Sequence, residues 1–496
     1  MDALERDAFE VLRLVQSIKN LLAPINRIPS EVFSLIPNYY CEAHMDQCLI
    51  ALTHVCRGWR GTFISRSSLW TKLSLKDIDK TQAYIERSQS SPLKIHFGGR
   101  FTDDALAPVI PDICRVKSLA FHGNRLQIRV LRHFRCKVPL LEKLDISSTG
   151  DPVLDDALFD GDLSSLRELR LHKVITHFPW KNLGNLQIVD LKPHFHRYKT
   201  TQILDFFELA PLLYTVLLGY PIPNSSDASP KRIVPLPRLK FFTINTPPPH
   251  STLLHHLHIP IGASLTFEFC FNGNESPFLD YLPERSPNFD NLSYITAINL
   301  LFDSEQKFVQ LSGPSGSLRV LATWEDWTAS PSHVIDCQIL RSLGHPTLST
   351  IQRLVISKYK HPRWAKAGEC PIFQTLSSAN NLQTLVSMEC NHRPFILALD
   401  PDQNPSNLVI CPKMEKLILY TRFGYLFDVE LLIAMAKNRS SRGVKLVSIT
   451  LVDPGGDEQR EEVLRLRQHF KRVEYKFYQG PPAWDDVIGE SVGESR

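Results

Sequence analysis

The sequence predicts an α/β protein in which a small N-terminal helical unit precedes an irregular repeat solenoid, a parallel-sheet arc with outer helices. Three observations support this fold class. Apolar residues in the first 75 positions recur mainly at helical spacing. A short apolar pattern then returns about a dozen times at near-regular intervals. The length, 496 residues, suits two or three domains or one elongated array.

Residues 1–25 are predicted to form an amphipathic helix that ends at Pro24. Its apolar side chains follow alternating steps of four and three residues and form a narrow seam: Leu4, Ala8, Val11, Val15, Ile18 and Leu22. We expect this seam to pack back on the following residues. A self-associating coiled coil is the alternative, for which only about three heptads are present.

Residues 26–75 are predicted to form a compact helical docking unit. Pro29 suits the first position of a helix, because the N–H that proline lacks has no helical partner there. About fifty residues are too few to bury a stable core, so such a unit leaves apolar side chains for a partner or a neighbouring domain. We expect Trp59 to be a core residue that holds the second and third helices together.

The same segment resembles an F-box, the adaptor-binding module of Skp-cullin-F-box ubiquitin ligases. The resemblance lies in Ile28-Pro29-x-Glu31-Val32, Val55-Cys56-Arg57-x-Trp59-Arg60 and Ser68-Leu69-Trp70. It implies a Skp-type adaptor and a cullin scaffold as partners. The implied adaptor-binding residues are Ile28, Pro29, Val32, Phe33, Ile36, Val55, Trp59, Leu69 and Trp70. Pro37 and Tyr40 depart from the family pattern, in which large apolar residues are usual.

Residues 76–479 carry the recurring pattern, in which an apolar residue is followed by a second three positions later and a third two positions after that. The pattern resembles the L-x-x-L-x-L core of a leucine-rich repeat, without its usual asparagine, and predicts one strand of a parallel sheet per repeat. The middle residues of the triplets are Leu119, Leu144, Leu169, Val189, Val216, Phe242, Ile298, Leu321, Leu354, Leu385, Leu417 and Ile449. Return helices are predicted over 200–213, 428–438 and 459–471.

The two resemblances together imply the substrate-recognition subunit of a ubiquitin ligase, in which the repeat arc binds a protein substrate. A leucine-rich-repeat interaction scaffold without a ubiquitin role is the alternative, favoured by Pro37. Six aromatic residues toward the C-terminal half are the candidate substrate-binding residues, because large amphipathic side chains are enriched at binding hot spots. They are Trp324, Trp327, Tyr359, Trp364, Tyr420 and Tyr425.

Other functional classes lack their signatures. The sequence contains no G-x-x-x-x-G-K-[ST], G-x-S-x-G, G-x-G-x-x-G or H-E-x-x-H motif, so we expect neither an enzyme nor a cofactor or metal site. The formal charge of +4 and the absence of long basic runs argue against a nucleic-acid partner. An acidic N-terminal segment and short apolar runs predict a cytoplasmic or nuclear protein without membrane spans. Residues 480–496 are expected to be a disordered tail.

Overall fold

The computed structural model describes residues 3–33, 35–36, 45–98, 103–124, 127–150, 152–154, 157–176, 182–192, 199–219, 232–245, 252–271, 295–302, 306–313, 316–324, 350–359, 371–421, 427–453 and 464–477. The chain divides into two compact units, Met1–Leu186 and Gln187–Arg496, which are described separately. The predicted boundary at residue 75 lies inside the first unit. The predicted tail lies outside the described residues.

The first unit begins with four helices: α1 (Ala3–Leu22), α2 (Ser30–Phe33), α3 (Met45–Thr53) and α4 (Arg57–Ser65). A short 3-10 helix, Pro24–Arg27, follows α1, so the helix ends where proline was expected to end it. The second helix of the docking unit, α3, ends at Thr53. A new helix begins at Arg57, where the Cys56 sulfur accepts the backbone N–H of Trp59 at 3.5 Å. Val55 therefore lies in a turn.

Five parallel strands complete the first unit: β1 (Lys72–Ser74), β2 (Leu93–Gly98), β3 (Val116–Gly123), β4 (Lys143–Ser148) and β5 (Glu168–His172). They are hydrogen-bonded in chain order. Helix α5 (Ile78–Ser88) connects β1 to β2, and return segments with 3-10 turns connect the others. Ile95, Leu119, Leu144 and Leu169 lie side by side and fully buried, so their shared register forms one apolar ladder.

The second unit contains fourteen named strands and four named helices within the described residues. The strands are β6 (Ile188–Lys192), β7 (Thr215–Leu218), β8 (Val234–Pro235), β9 (Phe241–Asn245), β10 (Leu257–His258), β11 (Ser264–Phe271), β12 (Ala297–Phe302), β13 (Gln306–Gly313), β14 (Gly316–Trp324), β15 (Arg353–Ser357), β16 (Thr384–Met388), β17 (Lys416–Tyr420), β18 (Ser448–Asp453) and β19 (Arg472–Phe477). The helices are α6 (Thr200–Glu208), α7 (Pro371–Ser378), α8 (Arg393–Leu399) and α9 (Val429–Ser441).

The apolar triplets predict the strands correctly. The second and third positions of each triplet lie on a strand, and most first positions precede that strand by two residues. Leu354, Leu385, Leu417 and Ile449 are paired in register across β15, β16, β17 and β18. The expectation of a mixed α/β fold with a large parallel sheet and several helices is confirmed. Among the predicted return helices, α6 and α9 form, whereas 459–471 has only three helical residues in its described part.

The strand order in the middle of the second unit differs from a simple array. The order is β11, β14, β13, β12, β15, with β13 antiparallel to both of its neighbours. The triplets centred on Ile298 and Leu321 lie on β12 and β14 and were expected to be consecutive repeats. Instead β12 pairs with β15 and β14 pairs with β11, while β13 lies between β12 and β14. Only residues 303–305 and 314–315 connect the three strands. Such short connections permit antiparallel neighbours only, because a parallel crossover needs a dozen or more residues.

None of the helices in the described ranges combines the length and the apolar character needed to cross a membrane.

Candidate functional site

An aromatic cluster holds the helical part of the first unit together. The ring of Phe33 in α2 packs edge-on against Trp59 at 4.6 Å and stacks on Phe63 at 4.9 Å between centroids. Phe33 and Phe63 are buried, whereas Trp59 is half-buried. Trp59 was expected to be a core residue that joins the second and third docking helices; instead it is half-buried in the first turn of α4, and its ring packs against Phe33 of α2, the first docking helix.

Leu69 and Trp70 are buried core residues and are not accessible to a partner. Trp70 is fully buried and donates its indole N–H to the carbonyl of Phe63 at 2.8 Å. Its ring also contacts Tyr84 of α5 edge-on at 4.9 Å, and the Arg87 guanidinium lies 4.4 Å from its centroid. The predicted adaptor contacts at Leu69 and Trp70 need correction, because both side chains are buried in the core of the first unit. Phe33 is also buried but lines the cavity described next, so its predicted contact stays a prediction.

The remaining predicted docking residues reach the surface. Val32 is 52% exposed and Val55 57%, Pro29 is exposed, and Ile28 and Ile36 are half-buried. Ile28 and Val55 line one cavity of about 460 Å³ together with Ile25, Phe33 and Trp59. Sequence reasoning missed Ile25 and Leu35, which are also exposed. The helical spacing of Ile28, Val32 and Leu35 was the signal that could have found Leu35.

Helix α1 is oriented opposite to the expectation. Its polar residues Arg13, Gln16, Ser17 and Asn20 line the cavity beside α2 and α4. The apolar seam points away: the exposed fractions run from 46% at Val15 to 84% at Leu4. The expectation that the seam packs back on the following residues is therefore wrong, because every residue from Leu4 to Leu22 is exposed.

A polar surface covers one side of the five-stranded sheet in the first unit; we call it the polar sheet face. It consists of the side chains that alternate with the buried apolar ladder. They are Lys72, Ser74, Lys94, His96, Ser118, Ala120, His122, Lys143, Asp145, Ser147, Glu168, Arg170 and His172. All are exposed or half-buried. Small residues at several of these positions leave space beside the longer side chains.

Positive charge dominates this face. It carries four basic side chains and two carboxylates. The basic residues are Lys72, Lys94, Lys143 and Arg170, and the acidic residues are Asp145 and Glu168. Glu168 accepts a hydrogen bond from Lys143 Nζ at 3.0 Å and forms an ion pair with Arg170, with 2.7 Å between Oε1 and Nε. These ion pairs connect β4 and β5 and lie within β5. The exposed residues Lys72 and Lys94 lie opposite each other on β1 and β2.

Imidazole rings lie next to these charges. The His96 and His122 rings are 5.3 Å apart between centroids, and His122 Nδ1 lies 2.5 Å from the Ser147 hydroxyl oxygen. The sequence signal for this face is the residue between the second and third apolar positions of each repeat, because side chains alternate between the two faces of a strand.

No protein-family model matches the chain, and no curated protein matches it significantly.

Three of the six predicted aromatic substrate residues, Trp324, Tyr359 and Tyr420, lie within the described residues. Tyr359 is buried, with its ring 5.4 Å from Phe302 and 6.5 Å from Phe395 between centroids, so it is a core residue and its predicted contact with a substrate needs correction. Tyr420 lies half-buried on β17, and Trp324 is the last residue of β14. The other three candidates, Trp327, Trp364 and Tyr425, lie outside the described residues.

A serine–histidine pair in the second unit resembles a nucleophile with its base, yet it is enclosed. Ser387 is fully buried and its hydroxyl oxygen lies 3.0 Å from His392 Nδ1. Part of His392 reaches solvent, but its Nε2 is enclosed, and burial lowers its pKa to about 4. Burial also raises the pKa of the nearby Cys390 thiol to about 12. These groups pack the strand ends and offer no accessible nucleophile.

No group of three or more histidine, cysteine, aspartate or glutamate residues in the described ranges has the geometry to hold a metal ion.

Proposed function

We propose that this protein is the substrate-recognition subunit of a Skp-cullin-F-box ubiquitin ligase. The N-terminal helical unit binds the Skp-type adaptor and is thereby carried on a cullin scaffold. The leucine-rich-repeat-like solenoid binds a protein substrate. The observation that carries this proposal is the apolar surface left exposed on the helices that carry the F-box-like motifs, around Ile28, Val32 and Val55.

The exposed apolar side chains support docking because they are adjacent. Single exposed apolar residues are common on protein surfaces and need no explanation. Here Ile25, Ile28 and Val55 border the same cavity, so a partner that fills it would bury all three together. At roughly 25 cal/mol per Å² of apolar area, burial of two such side chains contributes about 1 to 3 kcal/mol to binding.

Substrate recognition is assigned to the polar sheet face instead of the C-terminal aromatic residues. The excess of lysine and arginine over carboxylates and the adjacent imidazoles favour an acidic segment of a protein substrate. The Trp70 core joins this sheet to the docking helices within one compact unit. A substrate on this face would be held in a fixed relation to the adaptor surface.

The mechanism that follows is proximity. The chain itself makes and breaks no bond, and it needs no cofactor. A substrate tethered to the same assembly as the ubiquitin-loaded enzyme meets it at a raised effective concentration. The ligase assembly places the protein in the cytoplasm or the nucleus.

A quantitative pull-down with purified Skp-type adaptor tests the proposal. The double variant Ile28→Ala/Pro29→Ala and the single variant Val55→Asp should bind the adaptor roughly tenfold to a hundredfold more weakly, with little change in melting temperature. Val153→Asp is the matched control, because Val153 is 54% exposed, close to the 57% of Val55, and lies outside the docking surface.

Trp59→Ala completes the set, since removal of this ring should lower both melting temperature and adaptor binding. Failure of the parent protein to bind the adaptor would reject the proposal. So would unchanged binding by the Ile28→Ala/Pro29→Ala variant.

An interaction scaffold without a ubiquitin role is the second candidate. The observation in its favour is the hydrogen bond between Trp70 and Phe63, which connects the helices to the sheet. Helices that cap the end of a repeat array are connected to the array in the same way. Stable folding of the parent protein without any adaptor binding would support this candidate.

A further inference from the structure

The exposed seam of α1 is an unpaired interaction surface. It comprises Leu4, Ala8, Val11, Val15, Ile18 and Leu22, all of them exposed. Leu12 and Leu14 flank it on either side and are 58% and 62% exposed. A helix with an apolar stripe of this width gains stability mainly when the stripe is covered.

The seam has the spacing of a two-stranded coiled coil. Ala8, Val15 and Leu22 fall at heptad position a, and Leu4, Val11 and Ile18 fall at position d. The flanking e positions are Glu5, Leu12 and Lys19, and the g positions are Asp7, Leu14 and Leu21. The polar residues that line the cavity lie on the opposite side of the helix, and only Leu21 both lines the cavity and flanks the seam. A second helix can therefore approach the seam without displacing the docking unit.

The flanking residues distinguish the two orientations of a helix pair. In a parallel pair each g residue meets the following e residue of the second helix, which places Asp7 against Leu12 and Leu14 against Lys19. No opposite charges meet in that arrangement.

In an antiparallel pair e residues meet e residues and g residues meet g residues. Glu5 then faces Lys19 of the second copy, and twofold symmetry repeats this ion pair. Leu12 faces Leu12 and Leu14 faces Leu14 at the centre. The core layers are also complementary in size, with Ala8 against Ile18 and Val11 against Val15.

We propose that two copies of this protein associate through α1 as an antiparallel helix pair. Since the docking helices follow the C-terminal end of α1, they would lie at opposite ends of the pair, on the order of 30 Å apart for a helix of 20 residues. Each copy would keep its own adaptor surface and polar sheet face free. The dimer would therefore present two recognition surfaces to one substrate, independently of whether the partner is a ubiquitin-ligase adaptor.

Sedimentation equilibrium of the 496-residue chain tests the proposal. A seam of about three heptads should give a weak dimer, with a dissociation constant on the order of micromolar. Glu5→Lys and Lys19→Glu should each weaken the dimer by about tenfold, because each converts two attractive pairs into repulsive ones. The combined variant Glu5→Lys/Lys19→Glu restores opposite charges and should recover the parent dissociation constant.

Arg6→Glu is the matched control, since Arg6 lies at the outer heptad position f and its charge reversal should leave the dimer unchanged. Circular dichroism of each variant confirms that α1 and the rest of the chain remain folded.

A parent chain that stays monomeric at about 100 µM, well above the expected dissociation constant, would overturn the proposal. A combined variant that stays as weak as the single variants would overturn the antiparallel arrangement. Loss of adaptor binding by Val11→Asp/Val15→Asp, with a monomeric parent, would assign the seam to the adaptor instead.

Discussion

Trp59 donates its indole N–H to the side-chain oxygen of Asn26, with 2.5 Å between Nε1 and Oδ1. The amide nitrogen of Asn26 in turn donates to the carbonyl of Asn20 in the last turn of α1, also at 2.5 Å. One side chain thus connects the end of α1 to the start of α4. This connection restrains the C-terminal end of α1 beside the docking helices.

Replacement of Asn26 by alanine should loosen α1. The variant leaves the half-buried indole N–H without its acceptor and should cost about 1 to 2 kcal/mol of unfolding free energy. Limited trypsin digestion should cleave faster after Arg13 and Lys19, which can be followed by mass spectrometry. Asn26→Asp separates the two bonds, because it keeps an oxygen for Trp59 but loses the N–H donated to Asn20, so α1 should still be cleaved faster than in the parent. Equal cleavage rates in all three proteins would contradict this role for Asn26.

The polar sheet face should bind acidic peptides. Lys72→Glu/Lys94→Glu should weaken binding of a fluorescein-labelled oligoglutamate peptide by about tenfold or more, and added salt should weaken binding to the parent. Fluorescence anisotropy at low ionic strength measures both effects. The control is Lys437→Glu/Lys445→Glu, which makes the same charge change at exposed positions of the second unit. An equal loss of affinity in the two double variants would show that net charge alone drives binding.

His392 should make stability depend on pH. Burial lowers its pKa to about 4, whereas an unfolded histidine titrates near 6.5. Between these values the unfolded chain binds more protons, so the unfolding free energy falls as pH decreases, by up to about 3 kcal/mol in total.

Denaturant unfolding at pH 7 and pH 5 measures this effect. His392→Phe, which can keep the ring contact with Phe427, should show a smaller decrease than the parent. The same decrease in both proteins would assign the acid sensitivity to other groups.

Replacement of Lys173 by glycine should stabilise the protein. It follows β5 with φ of 54°, a left-handed conformation that costs a residue with a Cβ roughly 1 kcal/mol or more. Lys173→Gly removes that cost and should raise the unfolding free energy by up to about 1 kcal/mol, although glycine makes the unfolded chain more flexible. Lys137→Gly, at an exposed position that lacks positive φ, should instead destabilise. Thermal melts of the two variants should shift in opposite directions.

The apolar triplets predicted the strands because a period of three and then two residues places Leu354 and Ile356 on one face, and burial of that face fixes the register. The same pattern could not predict that β12 lies beside β15, since pairing between distant segments leaves no local trace. Within the site, an apolar residue such as Trp70 predicts that its side chain is buried. It does not predict whether the side chains that cover it belong to the same chain or to a partner. The hydrogen bond between Asn26 and Trp59 likewise joins residues 33 positions apart and has no local signal in the sequence.

The reversed placement of β12, β13 and β14 also bears on how the protein is made. In an ordinary repeat array, each newly synthesised strand can add to the one before it. Here β11 receives its second neighbour only after Trp324, the last residue of β14, has left the ribosome. Until then the outer edge of β11 offers unpaired backbone groups to any extended chain nearby, so the growing polypeptide is most exposed to aggregation or chaperone capture during this interval.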